Sequence, residues 1–362
     1  MVVFSTGIAS ALPSGTETPI TSTLNSLTGP ALYGDTIVWE DYRDLNGPYQ
    51  IYQYNLITGE ENPVNSSENL QFQPAIYRNT VVWTEFSTDY SSINIIKYDM
   101  VNRTRDEHLG NYDPSGFYYN YNYPKIFENT IVWQDYNVTN LNWDISVVRN
   151  TGSQPEIIIS GDGDQKQPEI YQDYIVYENW TGTAYSTPSH IWQYNLSNHT
   201  AVPISEGFYQ ETFPHIYGDK IVWEATNFSG DGMHIHVYDH GAITRLTPLS
   251  ATPFDQFHPA IFGNRVVVED ARESALHDVY VYDLVAGSET RLSPKSFAYS
   301  QLFPDIYGNR IVWADTRAGN SNMWDIYLFT LGPVVDCPAG PTDGVEENPA
   351  TGQTTAGPKV NR

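Results

Sequence analysis

Cysteine is almost missing from this chain: the one thiol, Cys337, leaves no intrachain disulfide possible. Long apolar runs are missing as well. No stretch approaches the roughly 20 residues that span a bilayer, so no transmembrane segment is expected. Basic side chains are scarce, with 18 Lys and Arg against 43 Asp and Glu and a net charge of −25. Such a surface repels phosphate backbones and anionic lipid, which excludes nucleic acid as a main partner and suits a solvated exterior or a basic partner. No segment of ten or more residues sustains the 3.6-residue apolar period, so almost no helix is expected. Nucleophile elbows, P-loops and zinc-type Cys/His spacings are also absent, which removes the familiar signatures of hydrolases, nucleotide enzymes and zinc modules.

Aromatics, by contrast, make up 14% of the chain, with 27 Tyr and 9 Trp, alongside 26 Gly and 23 Pro. Tyr, Trp, Val and Ile favour strands, while Gly and Pro supply turns. The decisive signal is self-similarity. PALYGDTIVW begins at Pro30, PAIYRNTVVW at Pro74, PKIFENTIVW at Pro124 and PEIYQDYIVY at Pro168. PHIYGDKIVW follows at Pro214, PAIFGNRVVV at Pro259 and PDIYGNRIVW at Pro304. The successive prolines stand 44, 50, 44, 46, 45 and 45 residues apart. A fixed period of this length signals solenoids or propellers.

Each unit reads as four short strands: the Pro-x-Ile-Tyr piece, the Ile-Val-Trp piece, a third such as DVYVYDL from Asp278, and a fourth such as ETRLS from Glu289. Gly34-Asp35, Gly218-Asp219, Gly263-Asn264 and Gly308-Asn309 suit two-residue hairpins. The second strand is apolar at consecutive positions, as in a strand covered on both faces. The seventh unit stops after its third strand, at Leu331-Gly332, and Thr16–Thr21 resembles the missing fourth strand. The reading is an all-β, seven-bladed β-propeller over residues 16–332. Its four-stranded antiparallel blades form a ring that the N-terminal strand closes by completing the last blade, hiding exposed edges. Residues 333–362, rich in Pro, Gly and Thr, read as a linker or disordered tail.

The first eleven residues, MVVFSTGIASA, end in an A-x-A pattern, so residues 1–15 read as the remnant of a secretion signal or leader. Seven Asn-x-Ser/Thr sequons begin at Asn65, Asn102, Asn137, Asn179, Asn195, Asn198 and Asn227, where roughly four are expected by chance. Both features point to a secreted or cell-surface protein with candidate glycosylation sites.

The pattern P-x-I-Y-G-N-x-I-V-W, D-I-Y-x-Y-D-L, E-T-R-L-T resembles the TolB-type, WD40-like propeller repeat. It is closest to the form found in surface-layer and other cell-surface proteins of methanogenic archaea. The resemblance covers about Thr16 to Gly332 and implies extracellular scaffolding, with protein or glycan contacts and no fixed catalytic set.

In this strand order the second-to-third loops and the links between blades share one face, here called the top, where propeller ligands usually bind. Aromatic candidates for sugar stacking or a protein interface are Tyr112, Phe117, Tyr118, Tyr119, Tyr121 and Tyr123 in the longest link, with Trp180 and Tyr185 in the next blade. Gln71, Gln165, Glu211, Gln256 and Gln301, three residues before a blade proline, are expected near the channel, either bridging blades or meeting a ligand. Two residues past the second-strand aromatic stand Asp41, Glu85, Asp135, Asp270 and Asp315. Local turn bonds or Arg partners are the simpler role for these acids. Asp41, Asp135, Asp270 and Asp315 are where a cation such as calcium would otherwise sit. No catalytic residue, cofactor or metal set is assigned. His215 and His258 flank blade prolines and His234 and His236 share a strand face, without a third histidine in a matching position. Gly161-Asp162-Gly163-Asp164 resembles a fragment of a calcium loop but reads more simply as a tight inter-blade turn.

The functional reading is therefore an extracellular, non-catalytic protein- or glycan-binding and structural module. One alternative is a carbohydrate-active enzyme, a polysaccharide lyase or glycosidase with its site at the channel mouth. Another is a TolB-like periplasmic interaction protein, which would need an extra N-terminal α/β domain for which the chain has no room. Oligomeric state is not legible.

Overall fold

The computed structural model describes residues 15–21, 27–43, 47–111, 122–149, 154–182, 187–206, 210–226, 232–246, 255–272, 276–292, 299–317, 324–332, 345–347 and 354–356. The chain divides into two compact units, Met1–Gly332 and Pro333–Arg362. In the second, Val345–Glu347 pairs antiparallel with Thr354–Ala356, and the rest of the expected tail lies outside the described residues.

The first unit is a seven-bladed β-propeller. Six of its four-stranded sheets run in chain order, the first being Leu27–Tyr33, Thr36–Asp41, Gln50–Asn55 and Glu60–Pro63. The seventh is Gln301–Tyr307, Arg310–Asp315 and Asp325–Leu331, completed by Gly15–Pro19. That strand pairs antiparallel with Asp325–Leu331, from Gly15 opposite Leu331 to Pro19 opposite Tyr327. Pro19 is tolerated there because an outermost strand needs donors on one side only. Beyond it, Thr21 Oγ1 donates to Asp325 Oδ1 at 3.0 Å and accepts the Ile326 N–H at 2.8 Å. Arg317 pairs with both Glu17 and Asp315, tying the closing strand to its blade.

The core lies between the blades. Its clusters join each sheet to the next around the ring, and two of them flank the seam. One packs Leu32, Ile37 and Trp39 on Val312, Ala314, Ile326 and Leu328, and the other packs Val267, Val279 and Val281 on Ile311, Trp313 and Phe329. The second strands are buried at consecutive positions, as their unbroken apolar runs demand. Trp39, Trp83, Trp133, Trp223 and Trp313 are all 0% exposed. The anticipated hairpins bring Gly34, Gly218, Gly263 and Gly308 to φ of 57–63°, whereas blades two to four use Arg78, Glu128 and Gln172 at 53–55°. Among the described residues there is no helix, and none long and apolar enough to cross a membrane.

Candidate functional site: the channel mouth and axial cavity

The first strand of every blade lines the axis, and every one is bent at the same place. The residue before the blade proline takes a left-handed φ: Gly29 at 58°, Gln73 at 57°, Tyr123 at 46°, Gln167 at 48°, Phe213 at 50°, His258 at 47° and Phe303 at 56°. A side chain there costs about 1–3 kcal/mol of strain, and a following proline ordinarily holds its predecessor extended. The bend produces the register shift seen in most first strands, as between Thr212 and His215 or Phe257 and Ala260. It also turns the N–H towards the preceding blade, where a side chain just past the second-strand aromatic accepts it. Gln73 donates to Glu40 at 2.6 Å, Gln167 to Gln134 at 2.9 Å and Phe213 to Glu178 at 2.9 Å. His258 donates to Glu224 at 2.6 Å and Phe303 to Glu269 at 2.7 Å. Thr84 holds the corresponding place in blade two, and Tyr123 donates to Gln73 Oε1 at 3.1 Å instead.

These acceptors carry no sequence signal of their own, since the repeated pattern points to the acids one residue further on. Burial pushes the Glu178 and Glu224 carboxyls up to about 7, against the pull of their donors. Glu269 behaves differently. Burial would raise it, but His258 Nδ1 at 2.7 Å and His277 Nδ1 at 2.7 Å hold it down to about 2. In return Glu269, helped by Glu224, overcomes the burial of His258 and lifts the imidazole to about 9.

Between the first strands lies a cavity of about 540 Å³. Tyr33, Tyr77, Phe127, Tyr171, Tyr217, Phe262 and Tyr307 form a continuous aromatic ring at its hairpin end. Their neighbouring centroids are 4.5–5.1 Å apart and their planes are inclined by 42–55°. One-seventh of a turn is about 51°, so these angles are the blade rotation itself. The position after each proline is small at Ala31, Ala75 and Ala260 and polar at Lys125, Glu169, His215 and Asp305, the last standing between Ala260 and Ala31 in the ring.

The amides and acids singled out in the sequence lie in the wall. Gln71, Gln256 and Gln301 are 0% exposed. Gln71 bridges from the Ile51 N–H of the previous blade to Glu85, and Gln301 from the Val279 N–H to Asp315. Gln256 donates to Asp270 and Tyr282, and Gln165 to Asn179 and the Gly163 carbonyl. Glu211 accepts from Trp223, Ser205 and His190. Asp41, Asp270 and Asp315 are gripped by Arg43, Arg272 and Arg317, whose guanidinium carbons sit 3.8, 4.4 and 4.1 Å from the ring centroids of Tyr52, Tyr280 and Tyr327. Asp135 takes the Asn111 N–H and the Ser146 hydroxyl. Every one of these groups is committed to internal bonds, so the amides do not ring the open channel as the spacing implied.

Of the aromatic candidates, Tyr112, Phe117, Tyr118, Tyr119, Tyr121 and Tyr185 lie outside the described residues. Tyr123 lines the cavity. Trp180 is buried at 6% exposure, donating to Glu178 at 2.8 Å, and is therefore a wall residue rather than a free stacking surface. The Gly161–Asp164 turn is filled by Asn142, which donates to the carbonyls of Gly161 and Gly163, while Lys166 neutralises Asp164. Among the sequons Asn102 and Asn198 are exposed, Asn65, Asn137, Asn179 and Asn195 half-buried, and Asn227 outside the described residues. His234 contacts Arg245 and His236 packs on Trp223. Among the described residues, Asp219, Asp239 and His240 are the group with three ligand atoms close enough to share a metal. They stand on the hairpin face, where Lys220 lies 3.4 and 3.6 Å from the same carboxylates.

A strip of aromatic rings, absent from the sequence-based expectations, crosses the top face of blades one and two. Tyr42 stacks on Tyr49 at 4.4 Å, Tyr49 meets Phe72 at 5.0 Å, Phe72 meets Phe86 at 5.9 Å, and Phe86 meets Tyr90 at 6.1 Å. The outermost ring, Tyr90, is 44% exposed and sits in a tight turn: its N–H donates to the Ser87 carbonyl and Asp89 accepts from Ser87 and Ser91. At the inner end, burial, then Tyr42 and Glu40 beside the mouth, raise the Tyr49 phenol above its usual range. The five rings come from positions 42, 49, 72, 86 and 90, so no local motif announces them.

Fold and site together define a seven-bladed propeller with an aromatic strip leading to an axial cavity. No family model and no curated protein matches the chain. Solved structures do. The β-propeller domain of the Trilobed protease from Pyrococcus furiosus matches 87% of this chain over 100% of its own length, at 11% identity and a TM-score of 0.66. An oligogalacturonate lyase from Vibrio parahaemolyticus matches 89% over 96% of its length, at 12% identity and a TM-score of 0.64. An acylaminoacyl peptidase from Pyrococcus horikoshii matches 85%, at 12% identity and a TM-score of 0.62, and this chain spans about half (51%) of that protein. At these identities the likeness establishes the shared propeller fold.

Proposed function

We propose that this propeller is a non-catalytic binding module of the cell surface, of the TolB-like repeat type. Its ligand lies along the aromatic strip on the top face and reaches the channel mouth. The observation that carries this reading is the strip itself. Five rings run from Tyr90 to Tyr42, the outermost held in a turn fixed by Asp89 and the inner ones beside Glu40. Rigid aromatic faces with polar tips bind sugars and peptide segments at low entropic cost. A glycan chain is the favoured ligand and a peptide the second. The leader-like start and the sequons support an extracellular setting.

The polysaccharide-lyase reading draws on one feature, the His258–Glu269–His277 group beside the mouth. In that group both imidazoles and the carboxylate are already engaged with one another. A glycan and peptide array, run with and without calcium and followed by product analysis of every hit, tests the proposal. Binding without turnover, lost in Tyr49→Ala and Phe72→Ala, is the expected result; cleavage of a bound sugar would replace the module by an enzyme.

A further inference from the structure

The axial cavity carries an inference that does not depend on what lies along the strip. Its polar wall is unbalanced. Lys125 is paired with Glu169 across the seam between blades three and four, so those two charges cancel. Asp305 lines the same cavity from blade seven. Its Oδ2 accepts the Leu32 N–H at 2.7 Å and its Oδ1 the Ile306 N–H at 2.8 Å, bonds that fix its direction but bring no positive charge. Among the described residues no cationic nitrogen lies within 4.0 Å of it. Burial lifts the Asp305 carboxyl above its usual range, and His215 and Lys125, further round the ring, pull it back, so these groups feel one another through the cavity. The Ile261 N–H donates to the His215 Nδ1 at 3.3 Å, which fixes the direction of that ring. A half-buried carboxylate with no cation in contact is costly, and part of the cost is recovered when a cation is placed against it. Ala31, Ala75 and Ala260 leave the space for one, above a floor of aromatic carbon.

We infer that the axial cavity is a receptor for an organic ammonium group, held against Asp305 with its carbon chain on the aromatic floor. Each carboxylate oxygen has a second lone pair beyond its backbone bond, so an ammonium donates to both without displacing the wall. Glu40 in the cavity lining and the net charge of −25 favour entry of cations over anions. Polyuronates are accordingly disfavoured and amino-bearing ligands favoured.

Calorimetric titration of the whole chain at low salt with n-butylammonium, n-butanol and butyrate tests this. One-to-one binding of butylammonium is expected, with a Kd of about 1 mM or tighter, and no saturable binding of the alcohol or the anion. Asp305→Asn is expected to weaken it by about tenfold or more. Lys125→Met, which leaves Glu169 uncompensated, is expected to strengthen it severalfold, a gain that loss of wall structure could not produce. It also keeps the test open if the Asp305 variant does not fold. Glucosamine oligomers against their N-acetylated forms, and a peptide with a free against an acetylated N-terminus, distinguish a glycan source of the ammonium from a protein one. Equal affinity for butanol, no heat from butylammonium up to about 50 mM, or unchanged or weaker binding in Lys125→Met would overturn the inference.

Discussion

Raising the pH should soften the ring through one residue. His258 sits in a left-handed bend beside the mouth, its Nδ1 2.7 Å from Glu269 and its N–H on Glu224. Burial opposes its charged form, but the carboxylates win and hold the imidazole near 9. Because the folded value lies above the unfolded one, the stabilisation is complete below about 6.5 and disappears as the pH climbs through about 9. The shift corresponds to roughly 3 kcal/mol at most. The His258 side chain is 32% exposed and Glu269 is shared with His277, so about 2 kcal/mol is the working figure. For a chain of this size that amounts to a fall of about 4 °C in melting temperature. The perturbation is His258→Gln, which the backbone accepts, since Gln73 and Gln167 occupy the same position at 57° and 48°. Differential scanning fluorimetry between about pH 6 and 9.5 should show the variant melting lower at the acid end and the two curves converging at the alkaline end. Glu178 and Glu224, raised to about 7, lose stability between about 4.5 and 7 and are flat above that. A gap that stays constant or widens with pH would refute the reasoning.

Other consequences can be checked with the same preparations. Thr21→Val strands the Ile326 N–H and removes a donor from Asp325 at the closing seam, and should cost about 1–3 kcal/mol in denaturant unfolding. Trp313→Ala empties a fully buried site between blades six and seven and frees Asp315 from its indole donor, with an expected loss of about 3–5 kcal/mol. Tyr90→Ala, at an exposed turn, should leave melting within about 0.5 kcal/mol of wild type while weakening any array ligand several-fold.

The ring was legible because its cause is repeated. Seven copies of one strand pair, and a fourth strand transferred from the C-terminal to the N-terminal end, leave few other ways to bury Trp39, Trp83, Trp133, Trp223 and Trp313. The hairpin glycines were readable for the same reason, although Arg78, Glu128 and Gln172 carry the same left-handed turn without any compositional sign. The wall was only half legible. The Asp-x-Arg pairs are local, so Asp41–Arg43 and its relatives can be anticipated from spacing. The bend at His258 or Phe213 cannot be, because a following proline argues for extended backbone and the compensating acceptor sits in the preceding blade, 34 or 35 residues away. Trp180 reads as an exposed loop aromatic, but Glu178 draws its indole N–H into the wall. The strip from Tyr42 to Tyr90 exists only once two blades stand side by side.

The proposed ligand lies on the top face from Tyr90 to the channel mouth. Hydrogen–deuterium exchange with and without an array-selected ligand tests it most directly. Slowed exchange is expected at residues 42–43, 49, 70–73 and 86–91, and none at the opposite hairpins around Gly218 and Gly263. Protection confined to those hairpins, or to the outer strands, would contradict it.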